Sequence, residues 1–290
     1  MWSFRMKSTE TGMQPVLLEH IGNVLCEPHV TPRFVTAHVE EPHYFTTFFS
    51  IDSNDKNLIS KELDYAEEYV RSIGSGYRGL ISYDLSIRYI DKQIEELFHT
   101  LDAAGRLENT IICITGDHGS SYNCYPYRHR IVNNCHTENF HIPFILYDKG
   151  GQGRIIEHMA TSKDLIPTVL DYIGVPIPSV IKGESLLTAT WKCDYAMTEY
   201  MGPGCPDMRR NKACITIRNA NYVIAYEGSL QQPFSEMCIT EIYDLSIDPL
   251  ETNNIAAMRN PAIQKMIDAL HKRFDEIVKN NFEWLSCKLS

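Results

Sequence analysis

Residues 110–119, TIICITGDHG, decide the fold of this chain and mark where its chemistry is expected. The β-branched apolar run predicts a buried strand of a parallel sheet, and ligands of open α/β sheets bind beyond the carboxyl ends of such strands. The strand delivers Asp117 and His118, a carboxylate and an imidazole that together can hold a divalent cation. The same residues also fit a plain strand-end turn in which Asp117 caps the next segment. The neighbouring segments are needed to distinguish a cation site from a plain turn.

The segments around this strand alternate between helical and strand patterns. Apolar spacing predicts helices over residues 15–26 and 80–101, the second ending at Gly105, and strands over 33–38 and 141–147. A further helix is expected over 165–173, capped by Ser162 or Asp164 and ended by Gly174. This order predicts an α/β fold with a mostly parallel sheet and flanking helices.

The pattern changes after about residue 189. Three short strands are expected in ACITIRN (213–219), NYVIAYEG (221–228) and EIYDL (241–245), followed by an amphipathic helix over 261–278. We therefore predict two domains, an α/β catalytic domain over residues 1–188 and a small C-terminal α+β subdomain over residues 189–290.

Charge and composition narrow the classes of partner. The formal net charge of -10 and the pI near 5.6 argue against binding to nucleic acid or to a membrane surface, because both are anionic. An anionic substrate would need positively charged groups at its binding site to overcome the repulsion from the net negative charge of the protein. No run of eighteen apolar residues and no signal-peptide core occur in the chain, so we expect no membrane span and see no secretion signal.

Nine cysteines exceed what an ordinary cytosolic chain carries, but they form no zinc-ribbon spacing. Cys113 lies within the predicted strand and is expected in the core. Pairs such as Cys124 with Cys135, or Cys205 with Cys214, are compatible with disulfides in an oxidising compartment. The sequence leaves the pairing open.

Three groups of chemically active side chains follow predicted strands. Strands of one parallel sheet end at the same edge, so groups that are distant in sequence are expected to converge there. Carboxylate and imidazole would bind an ion, while Arg or protonated His would neutralise an anionic ester. Each group alone also fits a solvated loop. The groups are His38 with His43, Asp117 with His118, and the basic loop of Arg128, His129, Arg130 and His136, predicted to bind substrate.

Several separated segments resemble one family, the sulfatases of the alkaline phosphatase superfamily. Residues 83–119 are similar to the sulfatase succession of helix, turn, strand and Asp-His-Gly, and residues 141–151, HIPFILYDKGG, resemble the strand that follows. Residues 162–187 resemble the next helical segment, and residues 241–256, EIYDLSIDPLETNNIA, resemble the family's tail. The similarity is collinear over about residues 33–280.

The resemblance implies an alkaline-phosphatase-like fold and assigns roles to the candidate residues. Asp117 and His118 correspond to the second pair of metal ligands, with Ca²⁺ expected rather than Zn²⁺. His38 or His43 corresponds to the histidine that contacts the sulfate ester or assists the leaving group. Arg128, His129 or Arg130 falls near the place of a substrate-binding lysine that this chain lacks. The family's usual compartments are secretory, lysosomal or periplasmic.

The resemblance does not extend to the nucleophile. A sulfatase carries two metal-binding aspartates and then a Cys or Ser, in a C/S-x-P-S-R context, that becomes formylglycine; neither feature occurs here. We therefore expect a truncated or degenerate sulfuric ester hydrolase with weak or no activity alone. The alternatives are a phosphodiesterase or phosphoethanolamine-transferase-like enzyme of the same superfamily, and a non-catalytic binding protein that retains the fold. The sequence does not indicate an oligomeric state.

Overall fold

The computed structural model describes residues 2–4, 15–39, 78–119, 136–188, 193–200, 212–229 and 238–289. These residues form two compact units. The first contains the described residues up to 114 together with residues 145–152, and the second contains residues 115–119, 136–144 and those from 153 onward. The domain boundary expected after residue 188 stays a prediction.

Two helices form the core of the first unit, as their apolar spacing predicts. Helix α1 spans Pro15–Cys26 and helix α2 spans Arg78–Ala103. A methyl group placed on Gly22 would lie 3.3 Å from side-chain atoms of Leu97 and Thr100, so this glycine allows the helices to approach closely. Gly105, at a φ of 64°, ends α2 where the sequence predicted it. The buried cluster between the helices consists of Leu18, Ile21, Leu97, Leu101 and Leu107.

Four short strands accompany these helices. Strand β1, Trp2–Phe4, pairs in parallel with β2, Val35–Ala37, while β3, Ile112–Thr115, hydrogen-bonds to β4, Phe144–Tyr147. Within the described residues, β2 and β3 therefore belong to separate two-stranded sheets. The predicted convergence of their carboxyl ends stays a prediction.

The β3–β4 pair is covered on one face only within the described part of the chain. Ile112 and Tyr147 pack against the helical cluster, whereas Cys113 and Ile145, which point the other way, are exposed. The expectation that Cys113 lies in the core is therefore wrong. An apolar run predicts burial on both faces, but alternation along a strand sends successive side chains to opposite faces, and Cys113 and Ile145 on the second face are exposed.

Helix α3, Leu165–Tyr172, belongs to the second unit and follows a 3-10 turn, Ser162–Asp164. Asp164, one of the two caps expected, is the N-cap of α3 but its side chain makes no capping hydrogen bond to that helix, and the other, Ser162, is exposed. Thr161 instead forms a capping box with Asp164, whose carboxylate accepts the Thr161 backbone N–H and hydroxyl, both at 2.8 Å. Gly174, at a φ of 70°, terminates the helix as expected.

A four-stranded antiparallel sheet and a long helix complete the second unit. The strands are β5, Ala196–Tyr200; β6, Lys212–Arg218; β7, Tyr222–Ser229; and β8, Cys238–Asp244, and they pair in that order. Helix α4 spans Pro261–Leu289, longer than predicted. The sequence predicted the last three strands but missed β5, AMTEY, whose apolar alternation is weak.

The core of this unit follows from two periodicities. Alternate residues of the strands face the helix, and residues three or four apart on α4 face the sheet. Burying these side chains is the main favourable contribution to folding. The buried members are Ile215, Ile217, Ile224, Tyr226 and Ile242 of the strands and Ile263, Met266, Ile267, Leu270 and Phe274 of α4.

The described elements form a mixed α/β structure followed by an antiparallel α+β part, as the sequence predicted. Among the helices that the structure describes, none combines the length and apolar character needed to cross a bilayer.

Candidate active site

Asp117 and His118 lie directly after β3 and are both exposed. The carboxylate Oδ2 of Asp117 is 3.7 Å from Nε2 of His118, with the two side chains 64% and 59% exposed. The backbone N–H of His118 donates to Asp117 Oδ1 at 2.8 Å. The two side chains therefore present an oxygen and a nitrogen to solvent from adjacent positions.

The tautomer of His118 follows from its second ring nitrogen. Nδ1 lies 2.6 Å from the carbonyl oxygen of Gly119, which can only accept, so Nδ1 carries the proton. In the neutral ring the lone pair is then on Nε2, on the side of Asp117. A ring N–H that donates to a backbone carbonyl is a common way to orient a metal-binding histidine.

Gly119 lies against the 3-10 turn Thr137–Asn139. Its N–H donates to the carbonyl of Asn139 at 2.8 Å, and a Cβ at this position would collide with the carbonyl of Glu138. Gly116 is also close to a neighbour, because a Cβ there would lie 3.2 Å from the Ile142 side chain. Gly119 thus permits close packing against the backbone of the turn, and Gly116 permits close packing against the Ile142 side chain. The strand end is held against the turn.

A buried carboxylate holds the other side of this turn. Glu251 has a side chain only 2% exposed, and one of its oxygens lies 2.9 Å from Nδ1 of His136. It also accepts the backbone N–H of Thr137, at 3.1 and 3.2 Å from its two oxygens, and the Thr137 hydroxyl. The His136 Nε2 is 3.8 Å from Glu241, so both nitrogens of this ring lie near carboxylates.

Two residues of the four-stranded sheet also contact this cluster. Arg218 of β6 donates to the Thr137 hydroxyl and lies 3.9 Å from Glu251. The ring of Tyr243, from β8, is centred 5.5 Å from that of His136. Residues 136 and 137 are thereby fixed to the sheet by charge, hydrogen bonds and ring packing.

Burial and interactions with neighbouring groups shift the pKa in opposite directions, for Glu251 as well as for Arg218. Burial raises the pKa of Glu251, but the hydrogen bonds from His136 and Thr137 outweigh it and bring the pKa below its ordinary value. Burial lowers the pKa of the Arg218 guanidinium, and the Glu251 carboxylate offsets part of that effect. Glu251 is consequently ionised at neutral pH.

The structure places the other predicted site residues as follows. His38 is exposed just after β2, in the first unit. His43, Arg128, His129 and Arg130 lie outside the described residues, and their predicted roles stay predictions. His136 is described but buried, and its contacts are those of a side chain that fixes the turn. Its role in substrate binding stays a prediction.

Sequence reasoning missed Glu251 as a site residue. Glutamate in a polar turn is normally exposed, so composition gives no hint of burial. The available signal was the EIYDLSIDPLETNNIA segment itself, which matches a family pattern although nothing local requires a carboxylate there.

Asp117 and His118 are the candidate metal ligands, and among the residues that the structure describes no group of three or more His, Cys, Asp or Glu side chains converges to hold an ion. Their 3.7 Å separation suits two ligands of one cation, because metal-ligand bonds of about 2.0–2.6 Å place neighbouring donor atoms at such distances. Calcium takes six to eight oxygen ligands and zinc about four, so two donors contribute a minority of either set.

Two family models match this chain. The model described as Sulfatase matches residues 8–175, and the model described as N-sulphoglucosamine sulphohydrolase, C-terminal, matches residues 127–280. The first match alone covers more than half of the chain. This chain belongs to the sulfatase family. The family predicted from the separated motifs is thereby confirmed.

Curated relatives of this sulfatase-family chain include two arylsulfatases. It is 26% identical to the Arylsulfatase of Clostridium perfringens over 206 residues, 67% of this chain and 39% of the relative. It is 28% identical to the Arylsulfatase K of Rattus norvegicus over 217 residues, 70% of this chain and 35% of the relative. The Multifunctional alkaline phosphatase superfamily protein PehA of Trinickia caryophylli is 27% identical over 219 residues, 69% and 39%. The chain thus spans little more than a third of these relatives.

Solved structures share the fold at low identity. The Bacteroides fragilis protein yidJ superposes with a TM-score of 0.64 at 18% identity, covering 89% of this chain and 57% of that one. A structure determined in complex with its substrate D-glucosamine-2-N,6-O-disulfate gives a TM-score of 0.51 at 23% identity, covering 81% and 50%. These similarities confirm the predicted alkaline-phosphatase-like fold class.

Proposed function

We propose that this sulfatase-family chain contributes to hydrolysis of a sulfuric ester, with Asp117 and His118 as two ligands of a divalent cation. The observation that carries the proposal is their geometry: an oxygen and a nitrogen 3.7 Å apart, both exposed, with the His118 tautomer set by the Gly119 carbonyl. A bound cation would supply positive charge to an anionic ester. Ca²⁺ is the expected ion by resemblance to the family.

The ester class follows from the family. The match to the N-sulphoglucosamine sulphohydrolase C-terminal model and the similarity to a structure holding a disulfated glucosamine make sulfated amino sugars the first substrates to test. In this proposal His38 or His43 protonates the leaving alcohol, and Arg128, His129 and Arg130 neutralise the sulfate. Their types suit those tasks because a general acid needs a titratable proton and an anion needs cationic donors.

We further propose that the 290-residue chain alone has weak or no turnover. No Cys or Ser in it lies in the C/S-x-P-S-R context, so it offers no residue for conversion to formylglycine. Without a nucleophile no covalent intermediate forms, and two ligands hold a cation only weakly. The chain would then bind the ion and the sulfate ester more readily than it transforms them.

The first experiment measures Ca²⁺ binding by calorimetry on the full chain. We expect weak, saturable binding that falls at least tenfold in Asp117→Ala and in His118→Ala. Glu157→Gln is the matched control, because Glu157 is an exposed carboxylate of the same unit. Equal binding by all variants would exclude Asp117 and His118 as ligands.

The second experiment compares turnover of nitrophenyl sulfate, nitrophenyl phosphate and glucosamine 6-sulfate by the same chain. We expect little or no turnover of any of them. Rapid sulfate hydrolysis that is lost in Asp117→Ala would overturn the proposed inactivity while supporting the ester class. Preferential phosphate hydrolysis would favour the phosphoryl-transfer alternative. The similarity to the multifunctional alkaline phosphatase superfamily protein PehA is the reason for including this substrate. Ion binding with no turnover of any ester would agree with a binding protein.

A further inference from the structure

Glu251 is an unusual residue in its surroundings. It lies in the turn after β8, its carboxylate is buried, and its backbone has a φ of 54°, in the left-handed region that a glutamate seldom adopts. A residue with this conformation and a buried charge is maintained by the interactions that it makes. Its carboxylate lies 3.9 Å from Arg218 and makes its side-chain hydrogen bonds with one segment, His136 and Thr137 at the start of the turn Thr137–Asn139.

The carboxylate receives three donors from two consecutive residues. These are Nδ1 of His136 at 2.9 Å, and the N–H and hydroxyl of Thr137. Several donors on one rigid carboxylate fix both the position and the rotation of the segment that carries them. The start of the turn is thus defined by Glu251.

The turn is hydrogen-bonded to Gly119, so the position of the turn determines that of Gly119. The N–H of Asn139 donates to the His136 carbonyl at 2.9 Å, which closes the turn, and the Asn139 carbonyl accepts the Gly119 N–H at 2.8 Å. Since a Cβ at Gly119 would collide with the Glu138 carbonyl, the two backbones have no room to slide past each other. A displacement of the turn therefore displaces Gly119.

Gly119 in turn orients the histidine next to it. Its carbonyl accepts the Nδ1 proton of His118 at 2.6 Å, which selects the tautomer with the Nε2 lone pair and sets the ring plane. Nε2 is then held near Asp117 Oδ2. Every link from Glu251 to Asp117 lies within the second compact unit.

From these contacts we infer that Glu251 is a positioning residue for the Asp117–His118 pair. It acts through His136, the turn Thr137–Asn139 and Gly119. The assignment of the pair as cation ligands rests on the proposed function, but the positioning itself does not. A carboxylate in the turn after β8 thereby controls the geometry of a strand end more than 130 positions earlier in the chain.

The test replaces the carboxylate by its isostere, Glu251→Gln, in the full ¹⁵N-labelled chain without added metal. The amide NH₂ turns one acceptor into a donor that faces the donors of His136 and Thr137, so the start of the turn loses its anchor. We expect hydrogen exchange of the Gly119 amide to become about tenfold faster or more, because its acceptor is no longer fixed. We also expect the ¹⁵N shifts of the His118 ring to report a smaller population of the Nδ1–H tautomer.

Glu199→Gln is the matched control for a general loss of stability. Glu199 of β5 pairs with Arg273 of α4 in the same unit, with one N–O distance of 3.1 Å, and has no described contact with the turn. This variant should lower the melting temperature while the Gly119 and His118 signals keep their wild-type behaviour. Equal changes in both variants would show a merely structural role for Glu251 and overturn the inference.

A second variant covers the case in which Glu251→Gln does not fold. Thr137→Val removes the hydroxyl donor and leaves the carboxylate in place, and it should accelerate Gly119 exchange about threefold. Unchanged Gly119 exchange in a folded variant of either kind would also overturn the inference. If the wild-type chain binds no Ca²⁺ while Gly119 still responds to Glu251→Gln, the proposed function fails and the positioning role stands.

Discussion

At the scale of single residues, the candidate site shows that one residue type can have two roles. Two histidines of the second unit each lie beside carboxylates, yet their surroundings give them opposite roles. The His118 side chain is 59% exposed and directs Nε2 towards Asp117, whereas that of His136 is 11% exposed with both nitrogens near glutamates. Burial, and not residue type, separates a candidate ligand from a structural histidine.

Gly119→Ala should be the most damaging small change at the strand end. The added methyl group collides with the backbone carbonyl of Glu138, which cannot rotate away as a side chain would. Overpacking of this kind costs about 1–3 kcal/mol of the free energy of unfolding. Chemical denaturation followed by circular dichroism measures the loss.

Gly153→Ala is the matched control for that change. Gly153 belongs to the same unit and has open space where the methyl group would stand. Its replacement should leave stability unchanged or raise it by up to about 1 kcal/mol through the unfolded state. Similar losses in both variants would mean that the close contact at Gly119 carries no energetic weight.

At the scale of elements, the start of α3 depends on a buried acid. Asp164 accepts the Thr161 N–H and hydroxyl and, from a distant segment, the Glu184 N–H at 3.0 Å. Thr161→Val keeps the shape and removes the hydroxyl donor, so we expect a loss of about 1–2 kcal/mol in unfolding free energy. Ser162→Ala, the neighbouring exposed position, should change it by less than about 0.5 kcal/mol. Reversed effects in urea titrations would restore Ser162 as the cap.

Helix α4 is held to its sheet by apolar contacts. Leu270 is completely buried among residues of α4 and the strands, so Leu270→Ala removes those contacts and leaves a cavity. We expect a loss of about 2–5 kcal/mol in unfolding free energy. The exposed Lys272 lies two positions along the same helix, and Lys272→Ala should shift the denaturation midpoint only slightly. A small effect of Leu270→Ala would argue against this packing.

The elements also show what sequence patterns could and could not predict. Periodicity located α1, α2, α3 and the strands β6 to β8, because each follows a regular apolar spacing. Strand β5 was missed because AMTEY alternates poorly. Asp164 was one of the two caps expected for α3, but its capping box with Thr161 was not predicted because several adjacent residues could serve. The exposure of Cys113 depends on neighbours that the strand does not encode.

The candidate site likewise contains residues that sequence patterns could locate and one that they could not. The position of Asp117 and His118 after a strand was predictable because the strand is recognisable from its apolar run, and their role as ligands stays a prediction. The role of Glu251 was not predictable, because the carboxylate and its partner His136 are 115 positions apart and meet only through the tertiary fold. Local patterns predict which residues end a strand, whereas burial of a distant charge has no local signature.

For the whole molecule, Glu251 makes stability depend on acidity. Its folded-state pKa lies below the ordinary value of 4.5, so ionised Glu251 stabilises the native state above that value. The contribution is lost as the pH falls through the folded pKa, where the carboxylate takes up a proton. We expect the free energy of unfolding to decrease as the pH is lowered below 4.5. Thermal unfolding across a series of buffers measures this decrease.

Glu251→Gln should remove this dependence. The variant should be less stable than wild type at pH 7 and should show a flatter profile below pH 4.5, because it has no proton to gain at that position. Glu157→Gln, at an exposed site, should follow the wild-type curve. Parallel profiles for wild type and Glu251→Gln would show that other carboxylates dominate the acid response.

Cys113 lies on the exposed face of the β3–β4 pair and can serve as a chemical reporter. Its thiol is exposed on the strand that leads to Asp117, while partial burial of the sulfur raises its pKa. Maleimide or iodoacetamide, which react with the thiolate, should therefore label this cysteine slowly at neutral pH and faster in alkali. Any polypeptide that comes to lie over this face would shield the sulfur, so the labelling rate of one side chain can register the arrival of a covering layer.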